Sequence, residues 1–348
     1  MTALKLTTYF GERDRAGDAF LADALVELYA RHRLRANLVM RGIAGFGVKH
    51  HLHTDRLLTL SEDLPMVSVA VDEGARVEAA LAEVVALSGD GLITLERTAA
   101  SPAGVDDATK LTVYVGRGER AAGRPAHLAV VATLHRHGVA GATVLLGVDG
   151  TVQGVRRRAR FFGANARVPV MIIAIGASEP IAAALDELRT LLHEPLFTLE
   201  RVRVCKRDGQ RLAEPQAVAA TDPSGLAVWQ KLMVYCGEQS RHGDEPLYAA
   251  LIRELRAAGA AGATALRGIW GYHGDHAPHG DTLWQLRRRV PVVTVVVDTP
   301  ERIRRWFAIV DELTDETGLV TSEQVPALRA TGPGVTRGGL RLADPGVR

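Results

Sequence analysis

The pattern Lys-Leu-x-x-Tyr-x-Gly occurs three times in this chain of 348 residues, beginning at Lys5, Lys110 and Lys231. In each copy another glycine follows 31 residues after the last one, then a proline 22 or 23 residues later, then a glutamate after 31 or 32 more. These later landmarks are Gly42, Pro65 and Glu96; Gly147, Pro169 and Glu200; and Gly268, Pro291 and Glu323. Because four landmarks keep their spacing in three copies, the sequence predicts three tandem modules of related structure.

The repeat unit of roughly 100 residues is longer than a solenoid repeat, so each module is expected to be a small domain. We predict module 1 over residues 1–98, module 2 over 109–206 and module 3 over 229–328. The connecting segments are rich in Pro, Gly, Ala and charged residues, with little apolar periodicity. The C-terminal sequence TGPGVTRGGLRLADPGVR has the same character, and we predict a disordered tail over residues 329–348.

Each module repeats one order of predicted elements, β-α-β-β-α-β, which is the ferredoxin-like arrangement. Alternating runs such as KLTVYVG predict first strands, and apolar runs that begin at a proline, such as PMVSVAVD, predict third strands. The predicted fold class is therefore α+β, with two helices on one face of a four-stranded sheet. The other face is still partly apolar, so we expect a monomeric chain whose three sheets close together as an intramolecular pseudo-trimer.

Composition excludes several classes of protein. The 42 Lys and Arg residues nearly balance 40 Asp and Glu residues, which disfavours a chain that coats nucleic acid. Cys205 and Cys236 form no Cys-x-x-Cys pair, so neither a disulfide framework nor a cysteine-based zinc site is expected. The N-terminus has no apolar signal core and no apolar run is long enough to span a bilayer, so we expect a cytoplasmic location.

The modules resemble the family called domain of unknown function 190, which is similar to the PII signal-transduction fold. The resemblance is clearest in module 3, over KLMVYCGEQSRHGDEPLYAALIRELRAAGAAGATALRGIWGYHGD and LRRRVPVVTVVVDTPERI. Module 1 matches through KLTTYFGERD, VMRGIAGFG and LSEDLPMVSVAVD, and module 2 through KLTVYVG, AGATVLLG and VPVMIIAIG. Module 2 departs from the other two at Leu146, where they have Arg41 and Arg267, and it lacks their Gly-Glu pair after the first strand.

The resemblance implies a non-enzymatic regulatory or sensor protein. PII-like proteins bind small effectors, often adenine nucleotides, in clefts between neighbouring modules. A loop between the second and third strands then engages a partner, often a membrane transporter or an enzyme. Genes for members of the family that the modules resemble are frequently found beside genes for fluoride-exporting channels. This suggests a fluoride exporter as one such partner.

The exits from the second predicted strands are candidate sites for a small anionic effector. Glycine lets backbone N–H groups approach an anion, and arginine can donate two hydrogen bonds to a phosphate or carboxylate. The candidate residues are Arg41, Gly42, Gly45 and Gly47; Gly147 and Gly150; and Arg267, Gly268, Gly271 and Gly274. The glycines can equally serve only to turn the chain.

The three loops that follow differ in their side chains. The first two are predicted to bind a partner, through His50, His51 and His53 in the first and Arg156, Arg157, Arg158, Phe161 and Phe162 in the second. The second loop could instead hold phosphate or nucleic acid, which the balanced net charge disfavours. The third loop carries His273, Asp275, His276 and His279, which could ligate a divalent metal but match no established ligand spacing.

Three functions remain open from the sequence. The first is the PII-like sensor, and the second is an enzyme that uses histidines and aspartates of the third loop for metal-dependent or acid–base chemistry. The third is a scaffold that binds no ligand. The sequence contains no P-loop, His-Glu-x-x-His or Gly-x-Ser-x-Gly motif, and we favour the sensor.

Overall fold

The computed structural model describes residues 3–47, 53–54, 63–99, 101–104, 107–152, 155–156, 168–273, 279–280, 290–314 and 317–343. It has a mixed α+β fold in which the three modules repeat one arrangement of long strands and two helices. The structure adds elements to the predicted β-α-β-β-α-β order: short hairpins whose strands have two residues each, and further strand segments. In the described ranges, no helix has both the length and the apolar character needed to cross a membrane.

Module 1 contains eight strands and two helices. They are β1 (Ala3–Gly11), β2 (Arg15–Ala16), β3 (Ala19–Phe20), α1 (Leu21–Arg31), β4 (Ala36–Arg41), β5 (Ala44–Phe46), β6 (His53–Thr54), β7 (Pro65–Glu73), α2 (Gly74–Ser88) and β8 (Gly91–Arg97).

Module 2 follows the same plan. Its elements are β9 (Ala108–Gly116), β10 (Arg120–Ala121), β11 (Arg124–Pro125), α3 (Ala126–Arg136), β12 (Gly141–Leu146), β13 (Asp149–Val152), β14 (Val155–Arg156), β15 (Pro169–Ala177), α4 (Ser178–Leu191), β16 (Leu196–Arg207) and β17 (Gln210–Arg211).

Module 3 and the C-terminal segment complete the chain. Their elements are β18 (Trp229–Gly237), β19 (Arg241–His242), β20 (Glu245–Pro246), α5 (Leu247–Ala257), β21 (Ala263–His273), β22 (His279–Gly280), β23 (Pro291–Asp298), α6 (Pro300–Leu313), β24 (Leu319–Val325), β25 (Ala327–Gly332) and β26 (Val335–Gly339).

The four long strands of each module lie in the same spatial order, with the third and first strands in the centre. These orders are β4-β7-β1-β8, β12-β15-β9-β16 and β21-β23-β18-β24, and all the pairs are antiparallel. The third strands are buried along nearly their whole length, because one face packs on helices and the other on neighbouring modules. This double burial explains why their sequences are continuous apolar runs that do not alternate with polar residues.

Each module has its own core between its helices and its sheet. A fourth core draws residues from the opposite sheet faces of all three modules, including Leu38, Val69, Ile173, Met233 and Val293. The modules therefore share buried apolar surface, which stabilises their association by about 25 cal/mol per Å² removed from water.

The segments after the second strands cross between modules in a cyclic order. β5 of module 1 pairs with β21 of module 3, the far half of β21 pairs with β12 of module 2, and β13 of module 2 pairs with β4 of module 1. We predicted these segments as loops. The local sequence gives no sign of the pairing, because the partner strand is more than a hundred residues away.

The fourth strands are linked in the same cyclic way. After β8, the Ala99 N–H donates to the Leu199 carbonyl oxygen at 2.7 Å. β16 continues past module 2 to pair with β24, and β25 pairs with β8 of module 1. The connectors therefore extend the sheets from one module into the next.

The prediction of a disordered tail over residues 329–348 is wrong for its described part. β25 and β26 form a hairpin with Pro333 and Gly334 at its turn, and Gly334 has φ +73°. This is the position at which a type II turn favours glycine after proline. Leu340 and Leu342 then pack on the core of module 1. The segment is ordered because β8 presents an edge that it can pair with; residues 344–348 lie outside the described ranges.

Candidate functional site

The lysines and glutamates of the repeat are buried in the centre of the molecule. Within each module the lysine lies opposite the glutamate on adjacent strands: Lys5 opposite Glu96, Lys110 opposite Glu200 and Lys231 opposite Glu323. All six residues are at most 7% exposed. Buried charges are stable only when they are paired and hydrogen-bonded, so their partners matter.

Each lysine donates a hydrogen bond to the glutamate of a different module. Lys5 donates to Glu200, Lys110 to Glu323, and Lys231 to Glu96 with N–O distances of 2.7 and 2.9 Å. Two lysines also contact the glutamate of their own module, Lys5 to Glu96 at 3.3 Å and Lys231 to Glu323 at 3.2 Å. We call these six residues the charge ring, because their contacts connect module 1 to 2, 2 to 3 and 3 to 1.

The charge ring keeps Glu96, Glu323 and two of its lysines ionised. Burial alone would raise the pKa of Glu96, but Lys231, Lys5 and Lys110 together hold it well below its usual range. Burial alone would lower the pKa of Lys5 and Lys231, but the neighbouring glutamates raise both above the usual lysine value. These four side chains are therefore charged at neutral pH.

We expect these pKa shifts to make stability depend on pH at both extremes. Glu96 has a folded pKa below its unfolded value of about 4.3, so its contribution is present above about pH 4.3 and is lost as the pH falls towards the folded pKa. Lys5 and Lys231 have folded pKa values above about 10.4, so their contribution is present below about pH 10.4 and is lost as the pH rises through the folded pKa. Urea denaturation across this range measures the effect. The double variant Glu96→Gln/Lys231→Met should lose less stability in acid than wild type does. If the free energy of unfolding of the variant fell with pH as steeply as that of wild type, the lowered pKa of Glu96 would be contradicted.

Three clefts lie at equivalent positions between the modules. The first lies between modules 1 and 3 and has a volume of about 160 Å³. The second, between modules 3 and 2, holds about 50 Å³, and the third, between modules 2 and 1, about 10 Å³. In each cleft, the end of a first strand and the start of a fourth strand face the second strand of the neighbouring module.

Side chains at equivalent positions explain the different sizes. Arg35 and Ala36 line the third cleft, where the first cleft has Ala261 and Gly262. His273 lines the second cleft where the first has Gly47. The first cleft is the largest because small residues occupy these positions.

The first cleft combines apolar walls with three carboxylates. Its lining includes Asp14, Asp63 and Asp90. The Gly11 N–H donates to Asp14 Oδ2 at 2.7 Å, and the Arg13 N–H donates to Asp63 Oδ1, also at 2.7 Å. Two of the carboxylates are therefore held in place by backbone amides.

The first cleft also lies at both ends of the first long loop. Gly47 and Asp63 both line it, and they are the last and first described residues on either side of residues 48–62, apart from residues 53–54. A molecule in the cleft would therefore contact both ends of this connection.

The predicted effector arginines are paired with glutamates and do not line the clefts. Arg41 Nη2 lies 2.8 Å from Glu12 Oε2, and Arg267 Nη2 lies 2.6 Å from Glu238 Oε1. Module 2 lacks both the arginine and the glutamate of this pair, as its sequence has Leu146 in place of the arginine. The joint loss indicates that the two side chains act as a pair.

The predicted glycines lie where backbones from two modules meet. A Cβ on Gly45, Gly150 or Gly271 would lie 2.6, 2.2 or 2.4 Å from a carbonyl oxygen of the neighbouring module. A Cβ on Gly42, Gly147 or Gly268 would crowd the proline that starts the third strand of its own module. Close approach therefore accounts for glycine at these six positions. Gly47 and Gly271 line clefts, and anion binding by these glycines stays a prediction.

Most of the predicted loop residues lie outside the described ranges. These are His50, His51, Arg157, Arg158, Phe161, Phe162, Gly274, Asp275 and His276. The backbones of His53, Arg156 and His279 lie in β6, β14 and β22. His273 lines the second cleft, with Nδ1 4.0 Å from Asp208 Oδ1. Among the described residues, no cluster of three or more His, Cys, Asp or Glu side chains could hold a metal ion.

Sequence reasoning missed the three aspartates of the first cleft. Asp14 and Asp90 each lie near a repeat landmark, Asp14 three residues after Gly11 and Asp90 six residues before Glu96. Comparing these positions among the three copies would have singled them out, because the residues differ between modules.

Comparison with known proteins identifies the repeat. The family model DUF190, described as Uncharacterized ACR, matches residues 3–100, 108–204 and 229–327. The chain belongs to the DUF190 family. The three matches confirm the recognition of three tandem DUF190 copies, which together cover most of the chain.

Similarity of this DUF190 chain to solved structures is distant. The aspartate kinase from Synechocystis matches 95% of the chain at 13% identity and a TM-score of 0.28, and the chain spans 45% of the length of that kinase. An unknown protein from Galdieria sulphuraria matches 57% of the chain and 98% of its own length, at 16% identity and a TM-score of 0.18. Likenesses at these TM-scores carry no argument about fold or function.

Proposed function

We propose that this DUF190 protein is a non-enzymatic, ligand-sensing regulator built as an intramolecular pseudo-trimer of PII-like modules. A small molecule binds in the first cleft, between modules 1 and 3. Binding changes the first long loop, which engages a partner, for which we propose a membrane transporter or an enzyme. The observation that carries this proposal is that Gly47 and Asp63, on either side of that loop, both line the first cleft.

Three sets of contacts support the pseudo-trimer. The charge ring, the crossings after the second strands and the extensions of the fourth strands all connect the modules in a cyclic order. The shared core adds apolar burial from all three modules. A closed arrangement of this kind creates clefts between neighbouring modules, where ligand sites commonly form.

Ligand control of the loop follows from differential affinity. A molecule that binds better to one arrangement of Gly47 and Asp63 than to another shifts the population towards the arrangement it prefers. Tyr9 lines the same cleft, and burial raises its pKa to about 12, so its hydroxyl remains protonated at neutral pH. The anionic effector expected at Arg41 and Arg267, and the adenine nucleotide that the resemblance to PII-like proteins implies, stay predictions.

The proposal is tested by thermal unfolding with a ligand panel. The panel contains ATP, ADP, AMP, cyclic nucleotides, fluoride, zinc, manganese, magnesium and small amines. A compound at 100 times its Kd should stabilise the protein by about 2.7 kcal/mol. The variant Gly47→Leu should abolish the stabilisation, because a Cβ at Gly47 meets no described atom within 4 Å and a leucine can enter the cleft without a clash with the described backbone.

Gly104→Leu is the matched control, because a Cβ there also meets no neighbour among the described residues and Gly104 does not line the first cleft. It should respond to the compound as wild type does. Trypsin cleavage after Lys49 or Arg56 measures the loop directly, and its rate should change when the compound is added. An equal thermal response in Gly47→Leu and wild type, or no response to any compound, would contradict the proposal.

A further inference from the structure

We propose that the first cleft binds a small organic ammonium compound, with an apolar part of about one six-membered ring. This inference rests on the proposed function, because it assigns the ligand class of the same cleft. Three features of the first cleft support it: its volume and apolar walls, its carboxylates, and its differences from the two equivalent clefts.

The volume and walls fit a single ring. The cleft holds about 160 Å³ and is walled by Phe46, Leu92, Val295 and Val297, of which Phe46, Val295 and Val297 are at most 6% exposed. An apolar protein cavity of about 150 Å³ accepts benzene. A ring in this cleft would remove its own apolar surface and that of the walls from water, which favours binding.

The charge of the lining fits a cation. Asp14, Asp63 and Asp90 line the cleft, and among the described residues that line it there is no Lys, Arg or His. The backbone amides that hold Asp14 and Asp63 are neutral and leave the negative charge in place. A carboxylate can accept several hydrogen bonds and an ammonium group donates three, so charge-assisted bonds to the ligand can form beside these amides. An anion would be repelled by the same groups.

The equivalent clefts show that the fold does not require these carboxylates. Ser240 occupies the position of Asp14 in module 3, and its Oγ accepts the Gly237 N–H at 3.2 Å, as Asp14 accepts the Gly11 N–H. Thr317 lines the second cleft where Asp90 lines the first. A serine and a threonine can therefore occupy the positions of Asp14 and Asp90 without loss of the fold. The negative charge at these positions is particular to the first cleft, and it favours a ligand of opposite charge.

The third cleft gives a second contrast. It retains acidic residues at both positions, Glu119 and Glu194, but Arg35 and His193 also line it and its volume is about 10 Å³. Judged by the residues that the structure describes, only the first of the three clefts combines room for a ring with an acidic lining that has no basic residue. We therefore expect one ligand per chain.

Three compounds that share one ring and differ in charge test the inference: benzylamine, benzyl alcohol and benzoate. Their binding to the full chain is measured by NMR titration at about 20 mM NaCl and again at about 500 mM NaCl. Benzylamine should bind about tenfold more tightly than benzyl alcohol at low salt, and benzoate most weakly. The preference for benzylamine should shrink at high salt, because the charges are partly exposed and screened.

Isosteric variants assign the preference to the carboxylates. In Asp14→Asn/Asp63→Asn an amide oxygen can still accept the backbone N–H, so the double variant should fold. It should lose most of the preference for benzylamine over benzyl alcohol, because only the Asp90 carboxylate remains of the three. Glu119→Gln, at the position equivalent to Asp14 in the third cleft, is the matched control and should keep the full preference. Equal or tighter binding of benzoate in wild type, or an undiminished preference in the double variant, would overturn the inference.

The outcomes also separate this inference from the proposed function. If the three compounds bind equally and Gly47→Leu blocks all of them, the cleft is a ligand site and the cationic class is wrong. A second outcome is that a nucleotide or a divalent metal stabilises wild type but not Gly47→Leu, while benzylamine does not bind. In that case the organic ammonium class is wrong and the proposal of a ligand-sensing regulator is supported. If nothing on the panel depends on Gly47, both fail.

Discussion

Replacing Lys5 with methionine is expected to destabilise the protein by about 3–5 kcal/mol, the usual cost of removing one partner of a buried ion pair. Lys5 is 6% exposed and donates to Glu200, which is 7% exposed. Among the described contacts, Lys5 is the one cation within ion-pair distance of Glu200. The variant would therefore leave the buried Glu200 carboxylate without the lysine that hydrogen-bonds to it, and only the more distant Lys110 would still attract it.

The other lysines of the charge ring provide graded controls. Lys231→Met should cost less, because Glu96 keeps Lys5 at 3.3 Å and Glu323 keeps Lys110. The double variant Lys5→Met/Glu200→Gln should recover part of the lost stability, because it removes the orphaned charge. Urea denaturation of the four proteins gives the free energies. Equal losses for Lys5→Met and Lys231→Met, or a double variant less stable than Lys5→Met, would contradict the assigned contacts.

Replacing Gly45 with valine is expected to destabilise the protein by about 3 kcal/mol, at the upper end of overpacking costs. A Cβ at Gly45 would lie 2.6 Å from the Ala263 carbonyl oxygen and 3.0 Å from Pro65 Cγ. Ala263 belongs to β21 of module 3, so the substitution forces β5 and β21 apart. The protein would lose stability because the contact between modules 1 and 3 is weakened.

Gly47→Val is the matched control for Gly45→Val. It lies two residues along the chain, and its added Cβ meets nothing within 4 Å in the part of the chain that the structure describes. Urea denaturation should give it nearly wild-type stability. Gly271→Val, at the equivalent position in module 3, should resemble Gly45→Val, since its Cβ would lie 2.4 Å from the Ala142 carbonyl oxygen. Comparable stabilities for Gly45→Val and Gly47→Val would show that β5 does not pack as described.

The elements within each module could be predicted from local sequence. Apolar runs starting at Pro65, Pro169 and Pro291 predicted the third strands, and all three strands begin at these prolines. The two helices of each module were predicted at the right places in the order of elements, because their apolar positions recur at helical spacing. The strands and helices of a module could be predicted because each of them depends on a pattern that lies within a short stretch of sequence.

Contacts between modules could not be predicted in this way. Lys5 lies opposite Glu96 of its own module, yet it donates to Glu200, and no local pattern distinguishes these two glutamates. Cleft size likewise depends on whether Arg35 or Ala261 faces the neighbouring module, which requires knowing that these residues are equivalent. The close-packing role of the glycines after the second strands appears only when two modules meet, so the sequence suggested anion binding or a turn of the chain at these glycines and gave no sign of the packing.

Joining three modules in one chain has a physical consequence for function. Tethering replaces assembly that depends on concentration with assembly inside one molecule. Each cleft can then differ in sequence, which identical subunits do not allow. The presence of Gly47 in the first cleft and His273 in the second is one result of that freedom.

The closed arrangement of three modules underlies every site described above, and small-angle X-ray scattering of the purified chain tests it directly. A single compact particle of 348 residues should have a radius of gyration of about 20 Å and the mass of one chain, 37.3 kDa. A profile of three separated domains, with a radius of gyration well above about 20 Å, would contradict the closed arrangement and the clefts that depend on it.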